Sequence, residues 1–593
     1  MASQDFFLGV ERSVTGRRWI SRQHDERTAL ALTQRLDEPE IVGRILAARG
    51  VGLEDVETFL DPSLRRLLPD PSHLKGMEAA TERLASAVMQ GEKIAVFGDY
   101  DVDGATSAAL LTRYVRTVGG VAAIYIPDRI DEGYGPNAEA LLGLGREGAS
   151  LIVTVDCGTT AHEPLKAATD AGIDVIVADH HEAEAQLPPA IAIINPNRLD
   201  EESPHSHMAA VGVTFLLVVG LNRTLRDAGW FKTRNEPDLR QWLDLVALGT
   251  VCDVVPLVGV NRALVSRGLS VMAARGNPGL RALADIAGID EAPGAYHAGY
   301  MLGPRINAGG RIGRADLGAR LLASDDEVEA AEIAARLDAY NRERQETELS
   351  VLNAALDQVE KSGQDAQDAG LIFVAGEGWH PGVVGIVAGR LANRFNRPVC
   401  VAAINGSRAT GSGRSIAGVD LGAAVIAARQ SGLILKGGGH FMAAGFAAQT
   451  DNLKAFGEFL NTRLKSDITL AAQFRGLNLD GALSLGGATK ELVATVEKIA
   501  PFGTKNPEPR FAIPDVRISW SKVVGANHVS CSLVGADGSR LKAIAFRAMD
   551  SELGPALLNK DGVPLHVAGK LRMNSWHGNE SVQMFIDDAA PAW

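Results

Sequence analysis

Three apolar runs in the chain each stop at an aspartate, and the third continues into two histidines. Ile94 to Phe97 leads into Gly98-Asp99-Tyr100-Asp101-Val102-Asp103-Gly104, Leu151 to Val155 leads to Asp156, and Asp174 to Ala178 leads to Asp179-His180-His181. Carboxylates that converge repel one another unless cations sit between them. A set mixing carboxylate with imidazole suits a first-row divalent ion such as Mn²⁺ better than an all-oxygen Mg²⁺ cage does. Each motif alone has a plainer reading. Asp99, Asp101 and Asp103 also make a polar helix start, Asp156 before Cys157-Gly158 also makes a turn, and adjacent histidines also occur as a surface pair. Together, three strand ends supplying Asp and His point to a polynuclear metal site. A fourth contributor is then expected, and Asp253, in Gly249-Thr250-Val251-Cys252-Asp253-Val254-Val255-Pro256, is the best candidate. A carboxylate bridging two cations roughly 4 Å apart is apparatus for activating water and stabilising a leaving oxygen in phosphoryl transfer.

Such acids need a scaffold on which distant segments converge. From Ile94 the pattern alternates between strands (Ile94 to Phe97, Ala122 to Ile126, Leu151 to Val155, Val175 to Ala178, Ile191 to Ile194) and helices (Thr106 to Val118, Asn137 to Gly143, Pro164 to Ala171). That alternation predicts βαβ crossovers and a parallel sheet, whose ligand crevice lies outside the carboxyl ends of its strands. Helical patterns follow at Val211 to Leu225 and Leu239 to Leu248. Residues 1–75 read as an N-terminal extension of the first domain, which spans 76–324. A charged stretch from Asp325 to Gly363, without proline or internal glycine, reads as a long connector helix. A second, glycine-rich α/β domain covers 364–465. Residues 466–593 carry short β-type runs (Arg517 to Trp520, Val529 to Val534, Leu541 to Phe546, Leu565 to Met573, Ser581 to Ile586), fitting a small barrel of the oligonucleotide-binding type or a sandwich.

At 593 residues the chain should form about three to four domains. No stretch has the roughly eighteen uncharged apolar residues of a membrane span, and the start lacks the pattern of a secretory signal, so a cytoplasmic protein is expected. The four scattered cysteines look like buried thiols. A net charge of −13 argues against a protein coated in nucleic acid but leaves room for a local basic groove.

The ordered motifs resemble those of the DHH phosphoesterase superfamily. Gly303-Pro304-Arg305-Ile306-Asn307-Ala308-Gly309-Gly310-Arg311 looks like the next motif of its single-stranded-DNA-specific exonuclease branch. Trp379-His380-Pro381-Gly382-Val383-Val384-Gly385, Gly411-Ser412-Gly413-Arg414-Ser415 and Gly437-Gly438-Gly439-His440-Phe441-Met442-Ala443-Ala444-Gly445 resemble the associated DHHA1 domain. The resemblance covers about residues 40–590. It implies a 5′ to 3′ exonuclease that releases mononucleotides from single-stranded DNA in repair and recombination, with Mn²⁺ or Mg²⁺ in a two-metal site. It makes Asp99, Asp101, Asp103, Asp156, His180, His181 and Asp253 metal-site positions, with Asp179 orienting the histidines. The phosphatase branches carry a histidine where this chain has Phe97, so one imidazole ligand is absent here. The wider implied setting is a monomer working beside single-strand-binding protein and a helicase. The alternatives are a phosphodiesterase for oligoribonucleotides or cyclic dinucleotides, whose members are usually shorter and lack the barrel, and a non-catalytic DNA-binding scaffold.

Residue type suggests further roles. Arg305 or Arg311 could stabilise charge on the scissile phosphate. Gly411–Gly413 and Gly437–Gly439 read either as ordinary turns or as loops whose N–H groups meet phosphate, with Arg414, Ser415, Gly438, Gly439 and His440 lining the path. Trp520, Phe546 and Trp576 are candidates for base stacking or for the barrel core.

Overall fold

The computed structural model describes residues 6–129, 132–364, 370–472, 475–559, 562–576 and 579–592. It divides into two compact units, one of residues 61–346 and 501–507 and one of the rest. In the first unit, five parallel strands lie in the spatial order Val121–Tyr125, Lys93–Gly98, Ala149–Val155, Asp174–Ala178, Ala192–Ile194. The sheet grows one way from Lys93–Gly98 and then the other way from Ala149–Val155. A topological switch therefore falls between these two strands and opens a crevice at their carboxyl ends. Both faces are covered, which is why the strands are almost continuously apolar. Ile94, Val96 and Val153 pack on the side of the helices Val102–Thr117 and Ala210–Asp227, while Ala95, Phe97 and Ile152 pack on the side of Ala138–Arg146 and His162–Asp170.

Asp244, in the first turn of the helix Leu243–Cys252, is buried, and burial pushes its carboxyl up to about 6. A carboxyl whose folded pKa lies above its unfolded value of 3.8 adds stability below pH 3.8, and that contribution is lost as the pH rises through about 6. The loss amounts to about 3 kcal/mol. Asp244→Asn is expected to match wild type in urea unfolding at pH 4 and to exceed it by about 2–3 kcal/mol at pH 8. Equal stabilities at pH 8 would refute the assignment.

The second unit begins with residues 6–60, which the sequence pattern attached to the first domain instead. Strand Arg18–Ser21 pairs in parallel with Gly476–Leu479, and fully buried Trp19 donates from Nε1 to Asp588 Oδ2 (3.0 Å). Buried Asp480 takes Arg22 Nε (3.1 Å) and Arg49 Nη1 (2.7 Å). These pairings join opposite ends of the chain and leave no local signature. The expected connector is a continuous helix, Glu327–Lys361, and the boundary between units falls within it, after Glu346.

Beyond it, five strands lie in the order Lys436–His440, Ala443–Gln449, Arg408–Arg414, Val399–Asn405, Ile372–Glu377, with only the last pair parallel. The two glycine loops of the sequence reading are thus strands. Gly411 and Gly413 lie in a central strand with ladder partners on both sides, so their N–H groups are not free for phosphate. Their missing side chains make room for the core: a Cβ at Gly411 would stand 2.2 Å from the Phe446 ring, and one at Gly413 2.6 Å from Leu421. Gly437–Gly439 belong to an edge strand.

The C-terminal strands close into a five-stranded barrel. Phe511–Val524 pairs with both His528–Val534 and Leu565–Trp576, and Asn579–Pro591 pairs with Leu565–Trp576 and, in parallel, with Arg540–Ala545. Register shifts after Ile513 and after Ile518 bend the long first strand so that it reaches two neighbours. Closure selects the barrel over the sandwich. Among the described residues no helix is long and apolar enough to cross a membrane, and all four cysteines are free.

Candidate metal centre

The acids converge at the switch point. Asp99 follows Lys93–Gly98, and Asp156 follows the adjacent strand with φ +62°, in the left-handed region that Asp tolerates. Asp101 caps the helix Val102–Thr117, its carboxylate accepting from Gly104 N (3.0 Å). Gly104 has no alternative there, because a Cβ would lie 2.5 Å from the Asp99 backbone. In the first turn of that helix, buried Asp103 accepts from Ala210 N (2.7 Å) and Val211 N (2.9 Å) at the start of the helix Ala210–Asp227. Asp253 ends the helix Leu243–Cys252, which approaches closely because Gly249 has no side chain: a Cβ would stand 2.3 Å from Thr106 Oγ1 and 2.9 Å from Asp103 Oδ1.

Asp179 organises the histidines. Its Oδ1 accepts from His180 N (2.8 Å), His181 N (3.2 Å) and His181 Nδ1 (2.7 Å), and its Oδ2 accepts from Thr159 N (3.0 Å). Burial alone would raise this carboxyl, but the His181 imidazole and Thr159 outweigh it and hold Asp179 below the usual carboxylate range. Burial would lower His181, and the bond to Asp179 overcomes that to push it up to about 9. His180 Nδ1 lies 3.0 Å from the Met208 carbonyl. A carbonyl only accepts, so Nδ1 carries the proton and Nε2 presents its lone pair. Nε2 then faces Asp156 Oδ1 at 3.3 Å, Asp253 Oδ2 at 3.7 Å and Asp103 Oδ2 at 4.0 Å.

With the acids ionised, acceptor therefore meets acceptor. Asp99 Oδ1, Asp156 Oδ1 and Asp253 Oδ2 are buried without a hydrogen-bond partner. Burial, reinforced by Asp101, pushes Asp99 up to about 8 and Asp253 up to about 7, and burial with the surrounding acids drives Asp103 and Asp156 well above the usual range. Cations between these atoms would relieve both the repulsion and the orphaned lone pairs. Three donor sets fit: Asp156, His180 and His181; Asp103, His180 and Asp253; and Asp99, Asp101 and Asp156, each with ligand atoms within 4.8 Å of one another. Asp156 and His180 each belong to two sets, so neighbouring cations could share them. Phe97 is buried and stacked on Tyr125 (5.2 Å), away from any ligand role.

Several neighbours escaped the sequence reading. The Tyr134 hydroxyl lies 3.3 Å from the His181 ring nitrogens. Asn195 donates to Thr159 Oγ1 (2.9 Å) and the His181 carbonyl (2.8 Å), and Asn197 to the His180 carbonyl. Arg129 lies over the Tyr100 ring (5.1 Å). The run Asn195-Pro196-Asn197 after a strand, and Gly133-Tyr134-Gly135, were the available signals.

The basic candidates fare unevenly. Arg305 is committed inward, Nε donating to Asp338 Oδ1 (2.9 Å) and Nη1 to the Met301 carbonyl (2.7 Å). That makes it a clasp to the long helix in place of the expected phosphate ligand. Arg311 shares its helix, Gly303–Ile312, which presses on the Tyr100 carbonyl at Gly310, and it lies near enough to act on the Tyr100 hydroxyl. In the other unit, Arg414 donates to the Gly413 carbonyl (2.9 Å) and lies beside Gly385, where a Cβ would stand 3.1 Å from Nη2. Ser415 is buried and donates to the Val419 carbonyl (2.6 Å), which makes it a turn residue in place of the expected phosphate contact. Gly439 is pressed against Ala443 and Ala444, whereas Gly438 has open space and His440 is exposed. Trp520 is partly exposed on the barrel with Lys522 over its ring (5.5 Å), and exposed Phe546 contacts His528 (5.1 Å) and Phe585 (5.6 Å). The Trp576 side chain lies outside the described residues.

Comparison with known proteins supports the same picture. Residues 93–250 match the model of the DHH family N-terminal domain, 368–466 the DHHA1 domain and 479–588 the RecJ OB domain. The chain is 39% identical to the single-stranded-DNA-specific exonuclease RecJ of Escherichia coli, over 93% of this chain and 96% of that one. The crystal structure of RecJ from Thermus thermophilus with Mn²⁺ superposes with a TM-score of 0.77 at 30% identity, covering 95% of this chain and 78% of that one. Its Mg²⁺ complex gives 0.73 at 28% identity, covering 95% and 76%.

Proposed function

Because the chain belongs to the RecJ family of single-stranded-DNA-specific exonucleases, we propose that it hydrolyses phosphodiester bonds of single-stranded DNA from the 5′ end, releasing mononucleotides during repair and recombination. The observation that carries the metal-dependent chemistry is the meeting of His180 Nε2 and Asp156 Oδ1, 3.3 Å apart in a buried site and both acceptors once Asp156 is ionised. Divalent cations held by Asp99, Asp101, Asp103, Asp156, His180, His181 and Asp253 would supply a water of lowered pKa and neutralise charge on the phosphate. The Thermus relative crystallised with Mn²⁺ or Mg²⁺ supports those two as the ions.

The chain's own residues set up that chemistry. Met208 fixes the His180 tautomer, Asp179 fixes the His181 ring, and two backbone N–H groups at a helix N-terminus hold Asp103 in place. Arg311 and Arg129, both near Tyr100, are the cations we assign to the phosphate, with Arg414, Gly438 and His440 binding the strand in the second unit. Phe546 with His528 and Phe585, and Trp520, are assigned to base stacking, each worth on the order of 1–3 kcal/mol. The reading extends to a cytoplasmic monomer working on strands presented by single-strand-binding protein and a helicase.

Chelator-treated protein is expected to leave a 5′-phosphorylated oligonucleotide intact, to degrade it once Mn²⁺ is restored, and to spare a blunt duplex of the same sequence. Gel analysis of a 3′-labelled strand reads the polarity. Cleavage without any divalent cation, or release of the 3′ label as a mononucleotide before any shortened labelled strand appears, would overturn the proposal.

A further inference from the structure

Pro501-Phe502-Gly503-Thr504-Lys505-Asn506-Pro507 belongs to the parallel-sheet unit, although the residues on both sides of it belong to the other unit. The segment is tightly built. Asn506 is fully buried, its side-chain amide donates to the Pro501 carbonyl (2.9 Å), and Gly503 and Asn506 exchange backbone hydrogen bonds (2.9 and 3.1 Å). Arg262, one of the largest fully buried side chains, reaches the Pro501 carbonyl from Nη1 (3.4 Å). A guanidinium is rarely buried unless its donors are used.

The strap lands on the turn that follows Asp253. Thr504 Oγ1 donates to the Val254 carbonyl (2.8 Å), and the Thr504 carbonyl accepts from Leu257 N (2.9 Å). At Gly503 a Cβ would lie 2.7 Å from Leu257 Cδ1, so the contact needs glycine. Val254 sits at φ +61° and is 68% exposed. That is a backbone region β-branched residues avoid, and such a conformation persists only where the surroundings over-determine it. Packing of the exposed valine side chain does not supply that constraint. The two hydrogen bonds to Thr504 contribute to it, beside those from Val254 N to the Val251 carbonyl (3.2 Å) and from Asn261 Nδ2 to the Pro256 carbonyl (3.0 Å).

We propose that Thr504 is a positioning residue for the metal centre: by pinning the Val254–Leu257 turn it sets where the Asp253 carboxylate is presented. Asp253 Oδ2 has no hydrogen-bond partner of its own, so its pose is inherited from the helix before it and from this turn after it. The inference rests on the metal-centre reading above.

The test is Mn²⁺ binding alone, by isothermal titration calorimetry on the full-length metal-free protein, with cleavage measured against Mn²⁺ concentration. Thr504→Val keeps the shape and removes the donor; Thr504→Ser keeps the donor. Thr504→Val is expected to weaken Mn²⁺ binding about five- to tenfold. It should raise the half-saturating Mn²⁺ concentration for cleavage by the same factor, and leave the rate at saturating Mn²⁺ and the metal-free melting temperature close to wild type. Thr504→Ser should restore the affinity. Wild-type Mn²⁺ affinity in Thr504→Val, or a loss that Thr504→Ser fails to rescue, would overturn the positioning role. Wild-type protein that bound no Mn²⁺ would overturn the metal-centre reading itself.

Discussion

Asp156→Ala is expected to lower the cleavage rate at least about a thousandfold while single-stranded DNA binding, measured by fluorescence anisotropy, stays within about twofold of wild type. Asp156 contributes to two of the three donor sets, so its loss would weaken both sets at once. The same substitution removes a buried carboxylate that burial and the surrounding acids drive well above its usual pKa. The metal-free variant should therefore melt at or above the wild-type temperature, because the site trades stability for function. Cleavage within tenfold of wild type would remove Asp156 from the metal site. Lost cleavage together with an earlier melt would trace the effect to folding instead.

Asp179→Asn is expected to cost about 10- to 100-fold in cleavage at fixed Mn²⁺ and to raise the Mn²⁺ requirement. The substitution is nearly isosteric, yet the carboxylate accepts four hydrogen bonds, three at Oδ1 and one from Thr159 N at Oδ2. An amide turns one of those acceptors into a donor that must face an N–H, which costs about 1–3 kcal/mol. It also removes the negative charge that helps lift His181 to about 9, which weakens the hold on the ring. Titration of cleavage against Mn²⁺ reads the effect. An unchanged Mn²⁺ dependence would show that the His181 ring needs no such anchor.

How much was legible beforehand depended on whether the information was local. Lys93–Gly98, Ala149–Val155 and Asp174–Ala178 were readable because strands buried on both faces are continuous apolar runs, and each leads directly into its acid. The Glu327–Lys361 helix was readable from the lack of proline and internal glycine. Arg305 was not: a guanidinium beside a glycine-rich motif suits phosphate as well as it suits Asp338, and only the position of the long helix decides between them. Gly411 and Gly413 were misread for a similar reason. A glycine that avoids the Phe446 ring and one that exposes an N–H are identical in sequence.

The sequence by itself determined the kind of chemistry, since the acids and histidines, their order and the strands that carry them are contiguous motifs. It also determined the family. The tertiary structure alone decided the tautomer of His180, set by the Met208 carbonyl 28 residues later. It alone showed that Asp103 is held by the N-terminus of Ala210–Asp227, that residues 6–60 join the barrel's unit, and that a strap from residues 501–507 supports the turn after Asp253. Each of these is a hydrogen bond or packing contact between residues far apart in the chain. Its energy depends on where the backbone has already been brought, and no local pattern of residue types records that.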